Sequence, residues 1–142
     1  MSKNGNSRQN AIVVGGGIGG LAAALALAQQ NIEVLLLEQA KEIGEIGAGI
    51  QLGPNAFTAL DALGAGEAAR SRTVFTDTLT MMDAVDGKQV GQVETGEAFR
   101  KRFGNPYGVI HRVDIHQSIL ERVQDNPLIK FRTSTQIVRL EP

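Results

Sequence analysis

The chain has 142 residues, 42% of them hydrophobic, which suits about one globular domain with its own core. Fourteen Lys and Arg residues against fifteen Asp and Glu give a net charge of −1, a balance that argues against nucleic acid as a partner. Cysteine is absent, which excludes disulfides and thiolate metal sites and is consistent with a cytoplasmic location. No apolar run approaches the ~20 residues of a membrane span.

The polar residues 1–10 are predicted to be a flexible tail. After them, the apolar run Ala11–Val14 predicts a strand buried on both faces, and the Ala- and Leu-rich Ile18–Gln30 predicts a helix. Asn31 tolerates the left-handed conformation that ends helices, and Ile32–Glu38 predicts a second buried strand. Together these elements predict a Rossmann-like βαβ core with a parallel sheet.

The next segment, Glu42–Asn55, is predicted to be a glycine-rich loop. Asn55 is the expected N-cap of a short helix over Ala56–Leu63, which should end near Gly64. Farther along, the dipeptide Asp86-Gly87 between two β-type runs predicts a small antiparallel hairpin, with strands over Thr78–Val85 and Lys88–Val93.

A further helix is predicted from the spacing of Asp114 and Gln117, which resembles a capping box. Its apolar face would consist of Ile115, Ile119, Leu120 and Val123. Asn126-Pro127 should end it, with strands following over Leu128–Thr133 and Gln136–Leu140. The predicted fold class is therefore α/β, with a parallel sheet and a small antiparallel hairpin.

The glycine cluster fits the pattern Gly15-x-Gly17-x-x-Gly20 between a strand and a helix. In this pattern Gly15 permits a tight turn, Gly17 lets the backbone approach a pyrophosphate, and Gly20 allows the helix to pack closely. Glu38 follows at the end of the second strand, where a carboxylate can accept hydrogen bonds from ribose hydroxyls and would repel a 2′-phosphate. The combination predicts a dinucleotide site, and FAD and NAD both satisfy it.

The loop after Glu38 favours FAD, because it is rich in glycine and also apolar. Such a loop can bring backbone N–H groups against a flat, extended ligand. The glycines in question are Gly44, Gly47, Gly49 and Gly53.

Several segments resemble one family, the single-component FAD-dependent aromatic hydroxylases, a group of flavoprotein monooxygenases. They are "VVGGGIGGLAAALAL", "LLLEQA", "GEIGAGIQLGPNA" and "GVIHRVDIHQSIL". Two others, "LTMMDA" and "FRKRFGNPYGVIHRVDIHQ", look most like 3-hydroxybenzoate 6-hydroxylases, with salicylate hydroxylases next. The similarity covers residues 11 to about 141, and because that family continues well beyond this length, residues 11–142 are expected to be the N-terminal part of a truncated FAD-binding domain.

The resemblance implies roles for particular residues. The turn would lie along the FAD pyrophosphate, Glu38 would hold the adenosine ribose, and the segment after it would approach the ribityl chain and flavin. The implied cofactor-binding residues are Gly15, Gly17, Ile18, Gly20, Glu38, Gln39, Ala48, Gly49 and Arg112. No catalytic residue and no metal ligand is assigned. The basic cluster at 100–102 is interpreted as a solvated surface, and His111 and His116 as structural or exposed.

The activity that the resemblance implies is hydroxylation of a phenolic aromatic acid, of the 3-hydroxybenzoate to gentisate type, by a cytoplasmic enzyme. NADH or NADPH and O₂ would be consumed through a flavin hydroperoxide, and the whole enzyme could form a homodimer. This piece alone is expected to be inactive. Alternatives are a salicylate-type hydroxylase, another FAD- or NAD-dependent oxidoreductase, and a non-catalytic dinucleotide-binding module.

Overall fold

The computed structural model describes residues 9–44 and 47–141. The predicted tail therefore lies almost entirely outside the described residues. Within the described ranges, no helix is long and apolar enough to cross a membrane. The elements, numbered in chain order, are β1 (Asn10–Val14), α1 (Ile18–Gln29), β2 (Glu33–Leu37), β3 (Gly49–Leu52), α2 (Pro54–Ala62), α3 (Gly66–Ser71), β4 (Val74–Phe75), β5 (Thr78–Met82), β6 (Gln89–Glu94), α4 (Glu97–Phe103), β7 (Gly108–His111), α5 (Arg112–Gln124) and β8 (Ile129–Arg132).

The chain divides into two compact units, one formed by Met1–Ile46 with His116–Pro142 and the other by Gly47–Ile115. The prediction that residues 11–142 form part of one domain stays a prediction. The predicted fold class is confirmed, because the chain contains both a parallel sheet and an antiparallel hairpin.

The first unit is built on a parallel sheet in the order β1-β2-β8. Its central strand β2 carries the sequence EVLLL, and β-branched or leucine side chains on both of its faces suit a strand covered by other elements. Helix α1 packs on all three strands. The buried apolar core of this unit consists of Leu21, Ala24, Leu25, Ala28, Val34, Leu36, Leu37, Ile119, Leu120, Val123 and Ile129.

The end of α1 agrees with the sequence, since Asn31 has a φ of +61°. The expectation that the first strand is buried on both faces is wrong: Ile12 is 66% and Val14 57% exposed. Ile12 and Val14 are two residues apart in the strand, so their side chains lie on the same face of the sheet. One face of β1 therefore stays open among the residues that the structure describes.

The predicted strand over Gln136–Leu140 is also absent from the described residues. After β8 the amides of Ser134 and Thr135 donate to the carbonyls of Ala40 and Glu38, and the chain then continues without pairing. Val138 is 89% exposed. The segment contains the β-branched residues Ile137 and Val138, but a strand also needs a neighbour that pairs with its backbone.

The second unit contains an antiparallel sheet in the order β3-β7-β4 and the hairpin β5-β6. The hairpin is confirmed, with Gly87 at a φ of +70° in a connection over residues 83–88. The Asp83 carboxylate fixes this turn by accepting the amides of Val85 and Asp86.

Several boundaries differ from the sequence prediction. The hairpin strands, predicted over Thr78–Val85 and Lys88–Val93, are Thr78–Met82 and Gln89–Glu94. The loop predicted over Glu42–Asn55 contains strand β3. Helix α2 begins at Pro54, behind Gly53 as N-cap, so Asn55 does not cap it; proline suits the first helical position because its missing N–H would have no partner there. Helix α5 already begins at Arg112, which places Asp114 inside its first turn.

Candidate dinucleotide-binding site

The glycine turn joins β1 to α1 at the carboxyl end of the parallel sheet. Gly15 has a φ of +102°, and its amide donates to the Leu37 carbonyl at 2.7 Å. A Cβ added to Gly20 would collide with the Gly15 carbonyl oxygen. The turn therefore requires glycine at both positions, at the first for its conformation and at the second for close approach of two backbone segments.

The first turn of α1 carries no side chain of its own that would compete with an anion. Gly17 is the N-cap and makes no side-chain capping bond, and the first turn carries no acidic residue. A Cβ built on Gly15 or on Gly19 meets nothing within 4 Å. The first N–H groups of a helix have no partner within it, so this end of α1, together with the positive end of the helix dipole, fits a diphosphate.

Glu38 follows β2 directly and supports the same turn. Its Oε2 accepts the Gly16 amide at 2.6 Å, and its Oε1 accepts the Ala40 amide at 2.8 Å. These two amide donors hold the pKa of the Glu38 carboxyl below its usual range, and the Ala40 amide has the larger effect. A carboxylate offers about four lone-pair sites, so the two bonds leave acceptor capacity for ribose hydroxyls. The side chain of the neighbouring Gln39 is exposed.

A second side chain reaches the turn from α5. The Nε2 atom of His116 lies 2.8 Å from the Gly16 carbonyl oxygen, and the histidine is only 2% exposed. The sequence analysis predicted a structural or exposed role for this residue and did not connect it to the turn. The sequence does contain a signal for the burial of His116, because its spacing places it on the same helical face as Ile119, Leu120 and Val123.

The remaining predicted residues lie in the second unit. The Arg112 amide donates to the Ala48 carbonyl at 3.1 Å, and Gly49 opens β3, paired with His111. A Cβ on Gly47 would stand 2.8 Å from the Arg112 Cδ, so the arginine stem lies directly along the Gly47 backbone. The contacts with Gly47 and Ala48 therefore fix the position of the Arg112 backbone and of the aliphatic part of its side chain.

The structure thus brings together six of the nine predicted residues within the first unit, namely Gly15, Gly17, Ile18, Gly20, Glu38 and Gln39. Ala48, Gly49 and Arg112 form a second local group in the other unit. Sequence reasoning missed Gly16, whose amide and carbonyl are both bound by side chains. The basic residues at 100–102 and His111 are exposed. The residues that the structure describes contain no group of three or more potential metal-ligating side chains.

The fold and the turn define a class, that of Rossmann-like dinucleotide-binding proteins. The profile of the family described as "NAD(P)-binding Rossmann-like domain" matches residues 13–62, which contain the turn, α1, β2 and Glu38. The sequence also aligns with the 3-hydroxybenzoate 6-hydroxylase of Klebsiella oxytoca, at 66% identity over 128 residues, 90% of this chain. This chain spans only 32% of that relative.

Solved structures agree with this relationship. A tetrameric form of 2-methyl-3-hydroxypyridine-5-carboxylic acid oxygenase superposes with a TM-score of 0.78 at 26% identity, covering 91% of this chain and 32% of the other. Klebsiella pneumoniae HpxO complexed with FAD and uric acid gives 0.69 at 27% identity, covering 87% and 30%. The predicted resemblance is confirmed: the chain is similar to a 3-hydroxybenzoate 6-hydroxylase and to solved oxygenases over about a third of their length.

Proposed function

We propose that this chain is the dinucleotide-binding part of an FAD-dependent monooxygenase that hydroxylates a phenolic aromatic acid, of the 3-hydroxybenzoate to gentisate type. The observation that carries the proposal is the 66% identity with a 3-hydroxybenzoate 6-hydroxylase over 90% of the chain. The enzyme would use NADH or NADPH and O₂, and we place it in the cytoplasm. Its oligomeric state is left to experiment, with a homodimer as the expectation.

The proposed cofactor residues are those that the sequence predicted. The turn at Gly15 would lie along the FAD diphosphate, and amides at the start of α1, including those of Gly17, Ile18 and Gly20, would bind it. Glu38, with Gln39 beside it, would accept the ribose hydroxyls. Ala48 and Gly49 would approach the ribityl chain and flavin through their backbone, and Arg112 would supply a positive charge. These three residues belong to the second unit.

When bound, FAD supplies the redox chemistry that amino-acid side chains lack, by taking a hydride from the nicotinamide and activating O₂. The residues of this chain would hold and orient it. The open helix start binds negative charge without an ordered side chain having to move. The Glu38 carboxylate is already fixed by two amides before any ligand arrives, which lowers the entropic cost of binding.

The proposal is tested on the full-length gene product. We expect a purified protein that carries flavin absorbance, that oxidises NADH or NADPH faster when 3-hydroxybenzoate is added, and that releases gentisate detectable by chromatography. Salicylate and benzoate serve as matched aromatic acids. Benzoate lacks the phenol, so it should give no hydroxylated product.

Other outcomes would contradict the proposal in different ways. A protein that binds NAD and no flavin would be a dehydrogenase. Flavin-dependent NADH oxidation with every aromatic acid and no hydroxylated product would indicate a reductase. Flavin binding with no turnover under any of these conditions would leave a binding module. Product from salicylate alone would move the assignment to the salicylate-type hydroxylases.

A further inference from the structure

The Gly16 residue is held at both of its backbone polar groups by side chains. Its amide donates to the Glu38 Oε2 at 2.6 Å, and its carbonyl oxygen lies 2.8 Å from the His116 Nε2. A carbonyl oxygen only accepts hydrogen bonds, so the Nε2 atom of His116 must carry the hydrogen and donate it. The two side chains come from distant parts of the sequence, one from the end of β2 and one from α5.

The His116 side chain is itself firmly placed. It is 2% exposed and belongs to the buried face of α5, together with Ile119 and Val123, which are 1% and 0% exposed. A buried imidazole N–H without an acceptor is costly, and the Gly16 carbonyl provides the acceptor. The turn, by contrast, consists of Gly15, Gly16 and Gly17, which have no side chains to restrict their conformations. The packed helix is therefore the rigid partner, and the turn is the part that it fixes.

The direction of this bond has a consequence for Gly17. The Gly16 carbonyl and the Gly17 amide belong to one peptide plane, and in a trans peptide they point in opposite directions. The described residues contain no cis peptide bond. Holding the carbonyl toward His116 therefore turns the Gly17 amide away from α5. Gly17 is the N-cap of α1, and no side chain caps this helix start.

We propose that His116 is a positioning residue of the cofactor site, which acts through the Gly16–Gly17 peptide to aim the Gly17 amide at the diphosphate of the bound dinucleotide. The inference rests on the proposed function for the identity of that ligand. The hydrogen bond itself is independent of it. His116 contacts neither phosphate nor flavin in this proposal, and its effect is on binding rather than on the hydroxylation step.

Two substitutions of His116 by residues with amide side chains distinguish the effect of its hydrogen bond from the effect of its packing. In His116→Gln the side-chain amide can occupy the position of Nε2 and donate to the Gly16 carbonyl. In His116→Asn the amide occupies the position of Nδ1 and falls short. With the full-length gene product, we expect the Kd for FAD to rise about tenfold in the Asn variant and to stay within about threefold of wild type in the Gln variant.

A second measurement works without FAD. The Gly16 amide donates to Glu38 only while the turn keeps its conformation, so its hydrogen exchange in the apoprotein reports on the turn. We expect faster exchange in the Asn variant and near wild-type exchange in the Gln variant. If wild-type protein binds no FAD, the proposed function fails, and this exchange measurement still decides the role of His116.

The contrary results are equally definite. Equal losses of FAD affinity in both variants would show that the imidazole ring is needed for its packing and not for its N–H donor. Unchanged affinity and unchanged exchange in both variants would show that the hydrogen bond does not position the turn. Should the Asn variant fail to fold, the Gln variant decides: retained affinity and exchange support the proposal, and a tenfold loss of affinity overturns it.

Discussion

Glu38 shows how much a single side chain contributes before any ligand is bound. The sequence places it at the carboxyl end of a strand and predicts contact with a ribose. The structure adds that its carboxylate closes the glycine turn by accepting the amides of Gly16 and Ala40. The same residue therefore stabilises the turn and, in the proposed site, would also accept hydrogen bonds from sugar hydroxyls.

This dual contact predicts a pH-dependent contribution to stability. Because the folded pKa of Glu38 lies below its ordinary value of 4.5, the ionised form stabilises the fold above that value. The contribution disappears as the pH falls through the lowered folded pKa. At neutral pH we expect Glu38→Gln to reduce the unfolding free energy of the apoprotein by about 1 kcal/mol, and the difference from wild type to shrink as the pH falls below the ordinary pKa of 4.5.

Urea denaturation at several pH values measures this difference. Glu42→Gln is the matched control, since Glu42 is an exposed carboxylate of the next loop, and its substitution should change the free energy by less than about 0.5 kcal/mol. A Glu38 difference that stays constant from neutral to acidic pH would contradict the assigned hydrogen bonds.

At the scale of elements, the start of α1 contains two neighbouring glycines with opposite requirements. A Cβ on Gly20 would collide with the Gly15 carbonyl oxygen, whereas a Cβ on Gly19 meets nothing within 4 Å. Both are inside the helix, where alanine is favoured over glycine when space allows. Sequence spacing marks Gly20 as part of the motif, and the structure gives the contact that explains it.

Alanine at the two positions should therefore change stability in opposite directions. We expect Gly19→Ala to raise the unfolding free energy of the apoprotein by about 0.5–1 kcal/mol and Gly20→Ala to lower it by about 2–3 kcal/mol. Denaturant unfolding of the two variants in parallel measures the effect. A Gly20→Ala protein as stable as wild type would show that the turn and the helix are not in close contact.

The edges of the elements show where sequence patterns were sufficient. Asn31 ends α1 and Gly87 supports the hairpin, as predicted, because each needs a positive φ that few residues adopt. Asn55 was expected to begin α2, but Pro54 already fixes a helical φ one residue earlier. The exposed position of Ile12 and the missing strand over Gln136–Leu140 depend on neighbours that a local pattern does not describe.

At the scale of the whole molecule, the net charge of −1 provides no general attraction for an anionic cofactor. Any salt dependence of FAD binding should therefore come from particular residues, and the proposed one is Arg112. We expect Arg112→Ala to raise the Kd for FAD about tenfold at low ionic strength and much less at about 0.5 M salt. Isothermal titration of the full-length apoprotein at the two salt concentrations measures this change.

Lys101→Ala provides the matched loss of one positive charge from an exposed position in the same unit as Arg112. It should leave the Kd for FAD within about twofold at both salt concentrations. Equal losses in the Arg112 variant at low and high salt would indicate that the arginine acts through packing, consistent with its stem lying along Gly47, and not through its charge.

The sequence by itself determined the βαβ unit, the glycine turn, the acidic residue after β2, the hairpin and the relationship to flavoprotein hydroxylases. These features depend on local spacing and on residues with unusual backbone freedom, which can be read along the chain. Only the tertiary structure decided that Gly16 is bound by Glu38 and His116, which lie 22 and 100 positions away, and that β1 leaves one face open. Hydrogen bonds between distant residues depend on how helices and strands pack against each other. Periodic patterns in the sequence predict single elements and do not predict which of them come into contact.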